Sequence, residues 1–496
     1  MQHNSNHELY HEIFGSVLDR TEMTPYLLSG IEGYESALAR ATKMMGNRGF
    51  DTSDGDELHE SEKKRARAYG EQAYKYFFHS MFPFVKNHLS RLESLHSVNS
   101  GLYRNCLHDI AGIETTLLNM EFRAIADEDP RHLLLLASSG KYPHVFYGYR
   151  GRNMDVPSDW QQAACSILKM AHIIKSIEED SQDINDYAQL GIFLEMQGQG
   201  LHDLYTYDWH NPVHIPESEP AQRAFVKIST FFHKLRESVT SDRGRDCLVF
   251  NSGDGVDVDI VEIRARLKSP ESMFTKLGKN VEGDVHDIRD ILAITFILKD
   301  RDDTLKLFHA LQKRGVILQE NTVSPSITQT LFNDFQSMGE AVRSLMISLS
   351  QSEGNQIVPD DSEVLGCAED FYKAISVNTA KNPYSSAGHK KFQCKIDFYV
   401  PIHRKASTNK IMVPGTADYM KRDQIGKTTE QHTLALELRI SDEESWRASE
   451  QKGDSHHDAY KFRQLAAFMN RVFRDRFNLP EESFAQLRRD QKKVFL

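Results

Sequence analysis

The chain has 496 residues, 40% hydrophobic and 26% charged, with a formal net charge of −11 and a mean hydropathy of −0.52. That length suggests roughly two or three domains of ordinary globular composition. No stretch approaches the ~18 apolar residues of a membrane span, and the acidic balance argues against a broad electrostatic grip on nucleic acid while leaving room for a local basic pocket.

The first residues, Met1-Gln2-His3-Asn4-Ser5, have neither the basic nor the apolar part of a signal peptide. Residues 1–215 read as an all-helical domain. Over 70–98 and 160–177 apolar residues recur at three- and four-residue spacing. Pro83 should kink or break the first of these, and Pro157-Ser158-Asp159 should start the second. Pro212, Pro216 and Pro220 then punctuate a linker.

After a further helix over 221–240 the texture changes. Residues 257–263, 292–298, 392–400 and 434–440 are alternating or continuously apolar, as strands are, with helices expected over 272–278, 303–314 and 328–350. The expected fold class is α+β, with a mixed sheet carrying packed helices over 216–475 and an inserted helical segment near 321–370. Residues 476–496 read as a basic tail, with 487–493 at the end of a surface helix. Five scattered cysteines without a CxxC spacing indicate reduced thiols in a cytoplasmic protein, and speak against a zinc module or disulfide scaffold.

Three groups carry the chemistry. The first is Arg266-Leu267-Lys268-Ser269-Pro270-Glu271-Ser272, with Lys276 one turn on. A strand would put Arg266 and Lys268 on one face, and Ser269 or Ser272 would open a helix whose amides favour anions. Together they form a cradle for polyphosphate, although a solvated basic strand end has the same composition. In the second, Asp290 leads into an apolar strand, where an unpaired carboxylate is costly and must cap, pair or bind a metal. The third is Leu434-Ala435-Leu436-Glu437-Leu438-Arg439-Ile440, whose alternation sets Glu437 and Arg439 opposite the leucines. Phosphoryl and pyrophosphoryl transfer needs Mg2+ held by a few carboxylates with cations on the phosphate oxygens, and Asp290, Glu437, Arg266 and Lys268 supply that set.

In order and spacing, these groups resemble the synthetase domain of the RelA/SpoT-type alarmone synthetases. The later parts of the resemblance are Pro383-Tyr384-Ser385-Ser386-Ala387-Gly388-His389, the Glu437 strand, and Glu450 through His456-His457-Asp458-Ala459-Tyr460-Lys461. The resemblance covers about 200 residues of the second half and implies a nucleotidyltransferase-like fold. It also implies ATP as pyrophosphate donor and a guanosine nucleotide as acceptor. By position, Arg266, Lys268 and Lys276 would hold ATP phosphates beside Ser272. Asp290 and Glu437 would bind Mg2+, with Glu437 also helping to deprotonate the 3′-hydroxyl. Tyr384 would stack on guanine, and His457 or His456 would help hold the acceptor. The chain departs from the pattern at Thr295, where the family has arginine, at Arg439, where it has glutamine, and at Ser441-Asp442, where it has an Arg-Thr pair. The loop from Tyr384 to His389 is one residue longer. Donor-side residues match best and acceptor-side residues least.

Other readings have their own residues. Asp257 and Asp259 form a DxD that could hold metal in a nucleotidyl transferase, or simply mark an acidic edge strand. Lys390-Lys391, His403-Arg404-Lys405 and Arg488-Arg489 could guide a tRNA 3′ end in a toxin-like relative, or be solvated faces. The altered acceptor side also suits a nucleotide-binding module without turnover. Two HD dipeptides, His108-Asp109 and His202-Asp203, lack the flanking ligands of a metal-dependent hydrolase. The helical half is therefore expected to regulate or to pair two copies of the chain.

Overall fold

The structure, a computed structural model, describes residues 60–119, 158–179, 181–242, 244, 246–279, 288–356, 358–376, 384, 390–451, 453–473 and 476–495. The helical run opens with α1 (Glu60–Lys75), α2 (Phe82–Leu95), α3 (Ser100–Asn119), α4 (Ser158–Glu179), α5 (Gln182–Met196) and α6 (Glu219–Arg236). Then come β1 (Val239–Asp242), β2 (Cys247–Phe250), β3 (Val258–Leu267), α7 (Pro270–Lys279), β4 (Leu292–Leu298), α8 (Thr304–Lys313) and β5 (Thr322–Gln329). The chain continues through α9 (Phe335–Ser352), α10 (Asp361–Ser376), β6 (Phe392–Lys405), the short α11 (Ala417–Met420), β7 (Lys427–Asp442), α12 (Glu443–Gln451), α13 (His457–Val472) and α14 (Glu481–Val494). The fold is α+β, with helices first and a mixed sheet in the C-terminal part. No helix among the described residues is long and apolar enough to cross a membrane.

Contacts divide the chain into two compact units, Met1–Asp180 with Phe274–Val285 and Lys461–Val494, and Ser181–Met273 with His286–Tyr460 and Phe495–Leu496. Residues 181–215, read above with the helical domain, thus group with the sheet.

In the helical unit, Pro83 meets the expectation of a break with a π-helical turn, Tyr76–Met81, that runs into α2. The Phe82 amide reaches back to the Phe77 carbonyl, and the wider turn accommodates a residue with no N–H to give. Phe77, Phe82 and Phe473 fill the space beneath, with ring centroids 5.2 to 5.9 Å apart. Helix α14 is amphipathic, with Arg489, Lys492 and Lys493 exposed and Leu487, Asp490, Gln491 and Val494 buried. Asp490 is satisfied by Asn99 at 2.7 Å, by Gln486 at 2.8 Å and by the Tyr103 hydroxyl, which donates to it. Gln491 bonds Arg463 and, at 2.9 Å, His88.

In the other unit seven strands run in the order β1-β2-β3-β4-β7-β6-β5 among the described residues. Every neighbouring pair is antiparallel except β4 with β7. Leu292, Ile294, Phe296 and Leu298 of β4 share one face with Leu434, Leu436, Leu438 and Ile440 of β7, all of them buried. Helices α6 and α8 cover that face, where Phe231 meets Phe398 and Phe308 meets Phe392 with centroids 5.3 and 5.5 Å apart. Strand β5 stands where a helix was expected to begin, and α9 starts only at Phe335. The strand tolerates Pro325 because it lies at the sheet edge, beside a register irregularity between Thr322 and Ile327.

Candidate functional site

The site is the face of the sheet opposite α6 and α8. Cross-strand partners point the same way, so the register of four strands brings Arg266, Ala293, Glu437 and Lys395 into one row. The next row is Arg264, Thr295, Arg439 and Gln393. One residue beyond the start of β6, Lys391 continues the same alternation beside Ser441, whose hydroxyl donates to the Lys390 carbonyl at 3.2 Å. Arg264 closes one end of the face, bonded to Glu262 at 2.8 Å and lying over the Trp446 ring of α12.

The carboxylates expected to act together do lie together. Lys268 donates to Asp290, and Arg439 donates to Glu437, which is only 4% exposed. Burial alone would raise the Glu437 carboxyl, but Arg439 and Lys391 hold it down at about 2 against the opposing charge of Asp290. It is therefore a carboxylate throughout the neutral range. Burial pulls the Arg439 guanidinium down, yet Glu437 and Asp290 keep it above its ordinary value. Burial and Arg439 lower Arg266, and burial together with the same arginine lowers Lys391 to about 8. Tyr460, in the first turn of α13, adds its field at Arg266 and Arg439.

The remaining expected residues are placed less centrally. Ser269 caps α7, accepting from the Ser272 amide at 3.4 Å, with Pro270 as the first helical residue; the Ser272 hydroxyl lies 3.1 Å from that of Ser269. Lys276 follows on α7, in the part that groups with the helical unit. Tyr384 is a half-exposed turn residue, and Pro383 and 385–389 lie outside the described residues. His457 is exposed at the start of α13, while His456 stacks on Phe495 at 4.2 Å and accepts from the Asp458 amide at 3.1 Å. His456 is thus used to start that helix.

The DxD pair is separate. Asp257 precedes β3 and accepts from the Ser252 amide at 3.2 Å, which shapes a turn, and Asp259 sits opposite Val249 of β2. Asp259 and Arg266 are seven residues apart on one strand, about 23 Å at ~3.3 Å per residue.

Among the described residues no third histidine, cysteine or acid joins Asp290 and Glu437 in a metal-binding group. Two mutually opposed carboxylates offering only oxygen donors nevertheless suit a hard divalent cation such as Mg2+, which commonly takes one or two protein carboxylates and completes its shell from water and substrate phosphate.

Lys391 and Arg439 are the residues whose part in the site sequence reasoning missed: the first was read with a surface pair and the second as a departure. The signal for Lys391 was available in the alternation of Lys391, Gln393, Lys395 and Asp397 with Phe392, Cys394 and Ile396. No protein-family model matches the chain, and no curated protein or solved structure does either.

Proposed function

We propose that this chain is an ATP-dependent pyrophosphotransferase of RelA/SpoT type, with a nucleotidyltransferase-like sheet unit, that modifies the 3′-hydroxyl of a guanosine nucleotide. The observation that carries the reading is the charge arrangement on the polar face of the sheet. Arg266, Lys268, Lys391 and Arg439 surround Asp290 and Glu437, an excess of cations in a chain whose net charge is −11. Such an excess favours a polyphosphate anion, and the embedded carboxylates supply oxygen ligands beside it.

In the transfer, the acceptor 3′-oxygen forms a bond to the β-phosphorus of ATP while the bond from that phosphorus to the α,β-bridging oxygen breaks. AMP leaves with the electron pair, and the hydroxyl proton passes to water. Mg2+ held by Asp290 and Glu437 would neutralise phosphate oxygens. Arg266 and Lys268 orient the donor phosphates. With its carboxyl at about 2, Glu437 holds and orients and is a weak proton acceptor, which lessens the deprotonating role implied by the family. Tyr384 would stack on the acceptor base, with His457 further along the acceptor.

The test is incubation of the whole chain with Mg2+ and β-labelled ATP, offering GDP, GTP, ATP or tRNA as acceptor. Label on the 3′-oxygen of GDP or GTP is the expected result; label on tRNA would replace the acceptor, and nucleotidyl transfer would replace the reaction. A second reading has an observation of its own: both carboxylates are already tied to cations, as in a site that binds nucleotide without turning it over. Saturable ATP binding with no product from any acceptor would select it.

A further inference from the structure

Of the four cations whose charges act on Asp290 and Glu437, two have no hydrogen-bonded or ion-pair partner among the described residues. Asp290 is engaged by Lys268 and Glu437 by Arg439, so these couples largely neutralise themselves. Among the described residues the side chains of Arg266 and Lys391 make neither a hydrogen bond nor an ion pair, and both are largely covered. They come from opposite directions. Arg266 stands on β3 and Lys391 leads into β6, with β4 and β7 between them, three strand spacings or about 14 Å across the sheet at ~4.8 Å each. Lys391 also lies four residues before Lys395, the β6 residue in the row of Arg266, about 13 Å along the strand at ~3.3 Å per residue, so the two backbones stand about 20 Å apart. The charge of Arg266 is felt at Lys391 across that span, with Arg439 of β7 in the row between them.

Uncompensated positive charge held out of water is costly, and the cost is relieved when an anion completes the site. We propose that Arg266 and Lys391 form a single phosphate-binding subsite, the anion being the pyrophosphoryl group in transit. The identity of that anion rests on the pyrophosphotransfer reading; the subsite itself does not. The two cations approach the group from its two sides, which fixes its position between the β3 and β6 halves of the face. Burial, with Arg439 and Arg266 added, lowers Lys391 to about 8 even though Glu437 and Asp290 favour its charge. Lys391 thereby gains a binding role that its surface-like sequence context concealed.

The experiment is calorimetric titration of the full chain with inorganic pyrophosphate at neutral pH, low salt and no divalent cation. The wild type should bind saturably. Lys391→Met should weaken binding at least ~10-fold, the size of one charge-assisted hydrogen bond, and Lys391→Arg should restore most of it. Lys391→Gln serves if the methionine variant does not fold. Arg266→Gln combined with the Lys391 change should cost much less than the product of the separate losses, since both side chains hold one anion. Unchanged affinity in Lys391→Met or Lys391→Gln, or strictly multiplicative losses, would overturn the subsite. Pyrophosphate binding lost on substitution, with no transfer by the wild type, keeps the subsite and removes the enzymatic reading. Transfer by the wild type with binding indifferent to Lys391 does the reverse.

Discussion

Two clusters of buried charge in the sheet unit differ in one respect. Between α5 and α6, Arg223 grips Asp186 with two hydrogen bonds of 2.9 and 2.7 Å, and Asp186 is 1% exposed. Around them Lys227 holds Asp183 at 2.6 Å, and Glu219 receives both Arg223 and Arg404. Each charge in that group has its complement within the chain. On the polar face of the sheet, Arg266 and Lys391 have no directly bonded partner among the described residues. A closed network fastens two helices, whereas a network with cations left over is shaped for something the chain does not itself provide.

The largest effect should come from opening the closed network. Asp186→Ala would leave buried Arg223 with only the exposed Glu219 and is expected to cost ~3 kcal/mol in urea unfolding, while pyrophosphate affinity below the transition stays at the wild-type value. A loss under about 1 kcal/mol would erase the contrast. Next, Glu437→Gln should reduce pyrophosphate transfer on the order of 10²–10³-fold in steady-state kinetics with the circular dichroism spectrum intact. Transfer within a few-fold of wild type would remove Glu437 from the machinery.

A third test reverses the sign seen at Asp186. Arg266→Gln takes away a cation that has no partner, so unfolding free energy should hold or rise by up to ~1 kcal/mol even as pyrophosphate binding is lost. Destabilisation comparable to that of Asp186→Ala would mean that Arg266 is structural. A fourth test concerns pH. Folded Lys391 releases its proton near 8 and the unfolded chain near 10.5, so between those values the unfolded state carries more protons and stability rises with pH. Lys391→Met should remove a rise of up to about 3 kcal/mol, read as the difference between the two unfolding curves. Parallel curves from pH 8 to 10.5 would show that Lys391 is not held in a cationic field.

The sequence was legible where one residue type had one physical meaning. Strand β4 is six apolar residues around Thr295, all buried, and could be read without knowing its neighbours. Glu437 stood out because it interrupts a leucine alternation, and Asp290 because it leads into an apolar strand. Lys391 did not stand out: its meaning depends on the register of β6 against β7, a long-range fact that no local pattern carries. Strand β5 was hidden by Pro325 and its serines, which read as loop until the sheet edge accounts for them. Asp490 and Gln491 look like surface residues until Asn99, Tyr103, Arg463 and His88 are brought to them from elsewhere in the chain.

The parallel pairing of β4 with β7 sets a schedule for how the site comes into being. Leu292 meets Leu436 across about 140 residues of chain, and such distant pairing forms slowly because the loop entropy must be met first. During synthesis β3 and β4 emerge with Arg266 and Asp290 long before Glu437 and Arg439 exist to join them. The β3–β4 half of the face therefore spends its early life without the β7–β6 half. The charged face is then completed late, and a chain stopped before Lys427 keeps several of its cations and still lacks the strand that unites them.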